Sequence, residues 1–320
     1  MHDIIPNEGI IREAHERIRP YLHRTPIFTN HYLDQLTGCH LFFKCENFQK
    51  VGAFKARGGL NTVLQLTPDE LKRGVATHSS GNHAQGLALA AKMAQARAYI
   101  VMPSSAPSIK KAAVRDYGAE IIECEPTLEA REATLGEVVQ KTGATVVHPY
   151  NDHRVIAGQA TAAKEFLEDV DAELGYLLTP VGGGGLLSGT ALASHYFPGG
   201  PIPKVIGCEP EGADDAWQSF HTGKLVPQLH PDTIADGLRT SVGEKPFKII
   251  QKYVTDILLA DDMQIVAAMR LVWERMKIII EPSCAVPLAA LLRHKERFAG
   301  KNVGIILTGG NVDLAQLPFQ

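Results

Sequence analysis

Apolar positions along the chain fall into runs of strand length that alternate with stretches of helical period. LFFKCE (41–46) reads as a strand, and FKARGGLNTVLQL reads as a helix beginning near Phe54. GVATHSS precedes the helix-patterned HAQGLALAAKMAQ, AYIVMP precedes SIKKAAVRDYG, and AEIIECE precedes a helix over 128–142. YLLTPV then leads into LLSGTALASHY, VIGCEP into GADDAWQSF, and NVGIILTGG closes the series. Alternation over the whole length predicts an α/β architecture, parallel sheet covered by helices on both faces. The opening MHDIIPNEGIIREAHERIRP mixes acids and bases in an amphipathic helical pattern, unlike a signal peptide. The segment 199–243 is rich in Pro, Gly, His and Asp. It is expected to form loops around a site, because long structureless segments in compact domains are usually functional.

The length of 320 residues fits one large or two modest domains, and 45% apolar content suffices for a core. No apolar run approaches the roughly 20 residues that span a bilayer. Net charge is −3 without a block of like charges, so neither a membrane nor a nucleic-acid partner is expected, and the reading is cytoplasmic. Cys39, Cys45, Cys124, Cys208 and Cys284 are scattered and never form C-x-x-C. They read as buried free thiols of a reducing compartment, not disulfides or a zinc site. G-x-G-x-x-G, a P-loop, H-E-x-x-H and G-x-S-x-G are all absent, which weighs against dinucleotide oxidoreductases, P-loop NTPases, zincins and serine hydrolases.

Chemistry concentrates in four places. Gly182, Gly183, Gly184 and Gly185 lie between a strand and a helix; main-chain N–H groups there would cradle a phosphate, a flexible connection being the alternative. Ser79, Ser80, Gly81, Asn82 and His83 occupy another strand-to-helix turn, either a capped helix or a ligand turn at the carboxyl end of a parallel strand. Lys55 in GAFKARGG sits on a helix's first turn. It is either a solvated surface residue or an amine whose pKa the helix end lowers, as Schiff-base chemistry requires. Glu209, Ala213 and Asp215 in CEPEGADD offer two carboxylates and a carbonyl, suited to a hard cation. An acidic helix start explains them as well. Met263, Met269 and Met276 read as core, and His148 and His153 as packing.

GAFKARGG, SSGNHAQG, GGGGLLSG and TGGNVDL occur in this order over essentially the whole chain. The sequence thereby resembles the fold type II (tryptophan synthase β-like) enzymes that use pyridoxal 5'-phosphate (PLP), and among them the serine/threonine dehydratase and serine racemase group. The resemblance implies two open twisted parallel-sheet domains with PLP in the cleft. Residues 73–150 would form the small domain, and 1–72 with 151–320 the large one. It implies that Lys55 forms the Schiff base, Phe54 packs near the cofactor and Asn82 bonds the ring hydroxyl. Gly182–Gly185 would hold the phosphate, and Thr308 would face the pyridine nitrogen. The turn Ser79–His83 would take the substrate carboxylate through its N–H groups, with Ser80 as an acid/base on the opposite face. Ala53 departs from the family, where many members carry Ser before Phe-Lys.

The activity implied is β-elimination of water from threonine or serine, giving a 2-oxo acid and ammonia. A 3-hydroxyaspartate dehydratase is the rival, with Arg131 or Arg57 as the cation for an extra carboxylate; serine racemase is a third. A PLP-binding metabolite sensor without turnover is the non-enzyme alternative. The family pattern also implies Mg²⁺ (or Ca²⁺ or Mn²⁺) at Glu209, Ala213 and Asp215, and a homodimer. The chain ends soon after Thr308, so the C-terminal regulatory domain of long threonine dehydratases is not expected.

Overall fold

The computed structural model describes residues 4–319. Its strands are β1 (Ile27–Phe28), β2 (His40–Cys45), β3 (Val75–His78), β4 (Ala98–Pro103), β5 (Glu120–Cys124), β6 (Thr145–Val146), β7 (Tyr176–Pro180), β8 (Lys204–Pro210), β9 (Asp256–Ala260) and β10 (Asn302–Leu307). Its helices are α1 (Glu8–Ile18), α2 (His31–Thr37), α3 (Lys55–Val63), α4 (Pro68–Arg73), α5 (Asn82–Met93), α6 (Ser108–Asp116), α7 (Leu128–Thr142), α8 (His153–Asp169), α9 (Gly185–Tyr196), α10 (Asp215–Thr222), α11 (Glu244–Tyr253), α12 (Asp262–Leu271) and α13 (Pro282–Arg293).

The strands form two sheets, a six-stranded one in the order β1-β2-β10-β7-β8-β9 and a four-stranded one in the order β5-β4-β3-β6. Every pairing is parallel except β1 with β2. That antiparallel edge departs from the all-parallel reading; two residues are too few to leave a period in the sequence. The inner strands of the large sheet are buried on both faces, which is why they read as unbroken apolar runs. One face packs on α12 and α13, the other on α8, α9 and α11. The small sheet packs on α5 and α6 on one side and α7 on the other.

Helix α8 escaped the sequence reading. It is buried continuously from Val155 to Leu167, its polar side chains Gln159, Thr161, Lys164 and Glu165 included, so its polar positions face other protein groups and not solvent. Within 199–243, β8 and α10 are regular, and the longest irregular stretch is 223–243 around a short turn at Asp236–Leu238. Met263, read as core, is 82% exposed on the first turn of α12, whereas Met269 is buried. No described helix is long and apolar enough to cross a membrane.

Helix α3 lies between α5 and α8 at backbone distance. A Cβ on Gly86 would stand 2.8 Å from the Lys55 carbonyl oxygen, and one on Gly158 would stand 2.6 Å from that of Arg57. Glycine is therefore required at both contacts for steric reasons, whatever its helix propensity. A buried ion cluster locks the same helix. Arg57 is fully buried and uses all five guanidinium N–H groups. Nε and Nη2 donate to Glu46 at 2.7 and 2.8 Å, Nη1 and Nη2 to Glu165 at 2.9 and 2.7 Å, and Nη1 to the Thr161 hydroxyl at 3.1 Å. Lys44 balances the second carboxylate, 3.1 Å from Glu165. Arg57 thus has no donor left for a substrate, which corrects its candidacy as the cation for a second carboxylate.

Replacing Arg57 by Met leaves two buried carboxylates facing one lysine. Losing one side of such a cluster costs about 3–5 kcal/mol. Urea unfolding should show that loss; a midpoint within error of the parent would show the cluster to be dispensable.

Candidate active site

Four strand ends of the two sheets deliver the site. β2 leads through two short turns to Lys55, β3 to Ser79–Asn82, β7 to Gly182–Gly185, and β10 to Thr308. Parallel strands place their carboxyl ends on one side, where open α/β sheets gather ligands.

Lys55 opens α3, and its Nζ donates to the Pro149 carbonyl at 3.1 Å, 5.1 Å from the Phe54 ring centroid. Burial lowers its pKa to about 8, with the charge of Glu281 opposing the fall. A lysine tuned this way keeps a useful neutral fraction near pH 7. The sequence reading attributed the shift to the helix end; desolvation is the cause in the structure. Phe54 is tied to the neighbouring strand end, its N–H donating to the Thr308 carbonyl at 3.0 Å. The Thr308 N–H donates to the Cys284 sulfur at 3.1 Å, and burial pushes that thiol up to about 12.

The turn after β3 has no side-chain cap at the start of α5, so its first N–H groups are left for an anion. The Ser79 hydroxyl accepts from the Gly81 N–H at 3.3 Å, and Ser80 is part-buried at the tip. His83 is buried, with Nε2 3.0 Å from the Val147 carbonyl; burial lowers its pKa to about 3, so the ring anchors the turn as a neutral group. Asn82 donates from Nδ2 to Glu281 Oε1 at 2.8 Å. Glu281 is buried and held up to about 8 by desolvation and by Asp236.

Gly182–Gly185 form the turn into α9, again without a side-chain cap. A Cβ on Gly183 would lie 2.1 Å from the Tyr150 ring, and Gly184 holds φ +86. The turn is thus specified by contact, not left flexible. Tyr150 is fixed in turn by its hydroxyl, 2.8 Å from Thr240 Oγ1. Next to it, His148 Nδ1 accepts from the N–H groups of Tyr150 and Asn151 at 3.3 and 3.0 Å. One short segment therefore touches both Lys55, through Pro149, and the glycine turn, through Tyr150.

Glu209 lies at the carboxyl end of β8 and Asp215 opens α10. Glu209 accepts from the N–H groups of Ala216 and Trp217 at 3.1 and 2.8 Å, and Asp215 Oδ2 from Val242 at 2.7 Å. The buried Asp215 Oδ1 has no hydrogen-bond partner, and Ala213 is buried beside it in the chain. Burial raises both carboxyls, Asp215 to about 7 and Glu209 well above its ordinary range, and Asp215 further raises Glu209. Arg131 is part-buried on α7, its Nε 3.3 Å from the Thr127 carbonyl, and its charge lowers the pKa of His78 after burial has done most of it.

The sequence reading missed Glu281, Asn311 and Tyr150. A glutamate directly before Pro282 at a helix start, after the apolar run III, was the available signal for Glu281, since glutamate is a poor N-cap. Tyr150 carried no signal, because its role is a contact with a residue distant in sequence.

The sequence profile described as "Pyridoxal-phosphate dependent enzyme" matches residues 18–309. The chain belongs to this family. It is 50% identical over 315 residues to the β-hydroxyaspartate dehydratase of Paracoccus denitrificans, covering 98% of this chain and 99% of that one. It is 47% identical over 313 residues to a serine racemase of Dictyostelium discoideum, covering 96% and 95%. Among solved structures it matches the maize serine racemase with a TM-score of 0.94 at 42% identity, covering 98% of this chain and 95% of that one. The fold type II architecture expected from the four motifs is thereby established.

The lowered pKa of Lys55 has a direct readout in the apoprotein. An amine-reactive probe should modify Lys55 with a midpoint near pH 8, lost in Lys55→Arg. A midpoint above about 10, the ordinary lysine value, would refute the burial argument.

Proposed function

We propose that this protein is a PLP-dependent dehydratase that removes water from a β-hydroxy amino acid, threonine or serine, yielding a 2-oxo acid and ammonia. The observation that carries it is Lys55, an amine of near-neutral pKa set between the Asn82 turn and the uncapped glycine turn. The residues fit the cofactor. Lys55 would hold its aldehyde, the N–H groups of Gly182–Gly185 its phosphate, Asn82 its ring hydroxyl and Thr308 its ring nitrogen, with Phe54 packing alongside. When bound, the cofactor supplies the electron sink for the charge left at the α-carbon.

The chain's own residues supply the rest. The N–H groups of Ser79–His83 bind and orient the substrate carboxylate. Lys55 in its neutral form takes the α-proton and returns it to the β-hydroxyl, which departs as water. The released enamine tautomerises and hydrolyses to the 2-oxo acid and ammonia. Ser80 carries a proton on the opposite face, so reprotonation there would add racemisation. Thr308 offers a neutral hydroxyl to the ring nitrogen, which favours expulsion of the β-substituent over longer-lived carbanion chemistry.

Glu209, Ala213 and Asp215 form a divalent-cation site, Mg²⁺ foremost, in the same reading. The partnerless Asp215 Oδ1 and two adjacent buried carboxylates support it. Its effect would be indirect. Asp215 holds Val242, and the segment from Leu238 to Gly243 packs over the glycine turn. A cytoplasmic homodimer completes the reading, the exposed Phe28–Phe48 pair offering apolar surface.

A second substrate, 3-hydroxyaspartate, is favoured by Arg131, whose charge acts on His78, and by the activity named for the Paracoccus relative.

The test is ammonia and 2-oxo acid release from L-threonine, L-serine and threo-3-hydroxyaspartate by the PLP-loaded protein. Lys55→Ala should abolish turnover. Arg131→Ala should raise KM for the dicarboxylic substrate roughly tenfold, about 1.4 kcal/mol, and leave serine unchanged. A PLP-loaded protein that turns over none of the three would be left as a sensor. Chelation should lower the thermal midpoint and Mg²⁺ should restore it; an unmoved midpoint would eliminate the cation site.

A further inference from the structure

The turn Thr308–Asn311 after β10 contributes more than Thr308. Asn311 Nδ2 donates to two acceptors, the Val51 carbonyl at 2.7 Å and Asn82 Oδ1 at 2.8 Å. Val51 holds φ 59, a region that β-branched residues rarely adopt. Backbone strain of this kind persists where surrounding contacts impose it and gathers at functional sites. Here it turns a main-chain carbonyl toward the Asn311 amide. Gly52, next in sequence, has φ +66, and a Cβ on it would come within 2.8 Å of Asn311 Oδ1.

The contacts form a chain of forced choices. A carbonyl can only accept, so Val51 decides which end of the Asn311 amide is nitrogen. That nitrogen can only donate, so Asn82 must turn Oδ1 toward it. Asn82 Nδ2 then faces Glu281 Oε1 at 2.8 Å. Glu281 is pinned from the other side: its N–H donates to the Gly309 carbonyl at 3.0 Å, and the Asn311 N–H donates to its carboxyl. A Cβ on Gly309 would lie 2.6 Å from Glu281 Oε1, so the TGGN turn has no room for another residue there. One hydrogen on Asn82 Nδ2 is taken by Glu281; no described residue engages the other.

We propose that Val51, Asn311 and Glu281 are positioning residues that fix the Asn82 amide in one orientation, so that its remaining N–H, not its carbonyl, meets the ring hydroxyl of the bound cofactor. The proposal rests on the assignment of Asn82 to that hydroxyl. An amide free to turn would present an oxygen to an oxygen for part of the time, weakening cofactor binding and changing the polarity felt by the ring.

The experiment compares Asn311→Leu, Glu281→Leu and Glu281→Gln with Asn82→Ala, each also in the Asn82→Ala background. Three quantities are read: the PLP dissociation constant, the position of the visible absorption band at fixed pH, and the thermal midpoint of the apoprotein. Asn311→Leu and Glu281→Leu should weaken PLP binding roughly tenfold and shift the band. Glu281→Gln keeps an acceptor toward Asn82 and should recover most of both. In the Asn82→Ala background the same changes should add nothing to the loss, as coupled residues behave. Additive losses, or a lower thermal midpoint with band and PLP affinity unmoved, would overturn the proposal. If Asn82→Ala itself moves neither, the assignment of Asn82 fails and the proposal falls with it. If Asn82→Ala moves both and its partners move neither, the proposal alone fails.

Discussion

Helix α3 carries Lys55 and Arg57 two residues apart, one facing the cleft and one the core. Its placement is the constraint on which the site depends. Gly86 and Gly158 admit its backbone to van der Waals contact on two sides, and the five donors of Arg57 tie it to Glu46 and Glu165. In the proposed role, an amine that meets a bound cofactor within tenths of an ångström needs such a support, because a flexible lysine stem on a loosely held helix would sample many positions.

Around that amine the fold arranges mostly uncharged groups. Two helix starts, α5 and α9, present uncapped N–H groups toward anions without placing a counter-cation beside Lys55. His83 and His148 are held neutral by burial, to about 3 and about 4, so neither adds a positive charge beside Lys55 near neutral pH. Among the described residues Glu281 is the carboxyl that raises Lys55, and burial holds it near the same pH. The lowered pKa of Lys55 thus follows from desolvation, a cause that no local motif displays.

The second sheet edge adds another dependency. Leu238, Val242 and Gly243 lie on the glycine turn, and Asp215 holds Val242. The irregular chain at 223–243 is therefore ordered against the glycine turn, although its composition suggested only loops around a site.

The sequence alone determined the strand–helix alternation of the sheets' inner strands, the glycine turn, the Lys55 motif and the Asn82 turn. These features are local: periodicity and turn chemistry follow from neighbours in the chain, and four ordered motifs suffice for the family. Only the tertiary structure decided which side chains meet. It buried α8 from Val155 to Leu167, polar side chains included; it spent Arg57 in the core; it left Met263 in solvent; and it joined Val51, Asn82, Glu281 and Asn311 from four distant segments. Hydrogen-bond partners and desolvation depend on what packs from afar, and chain order does not encode that packing in any short window.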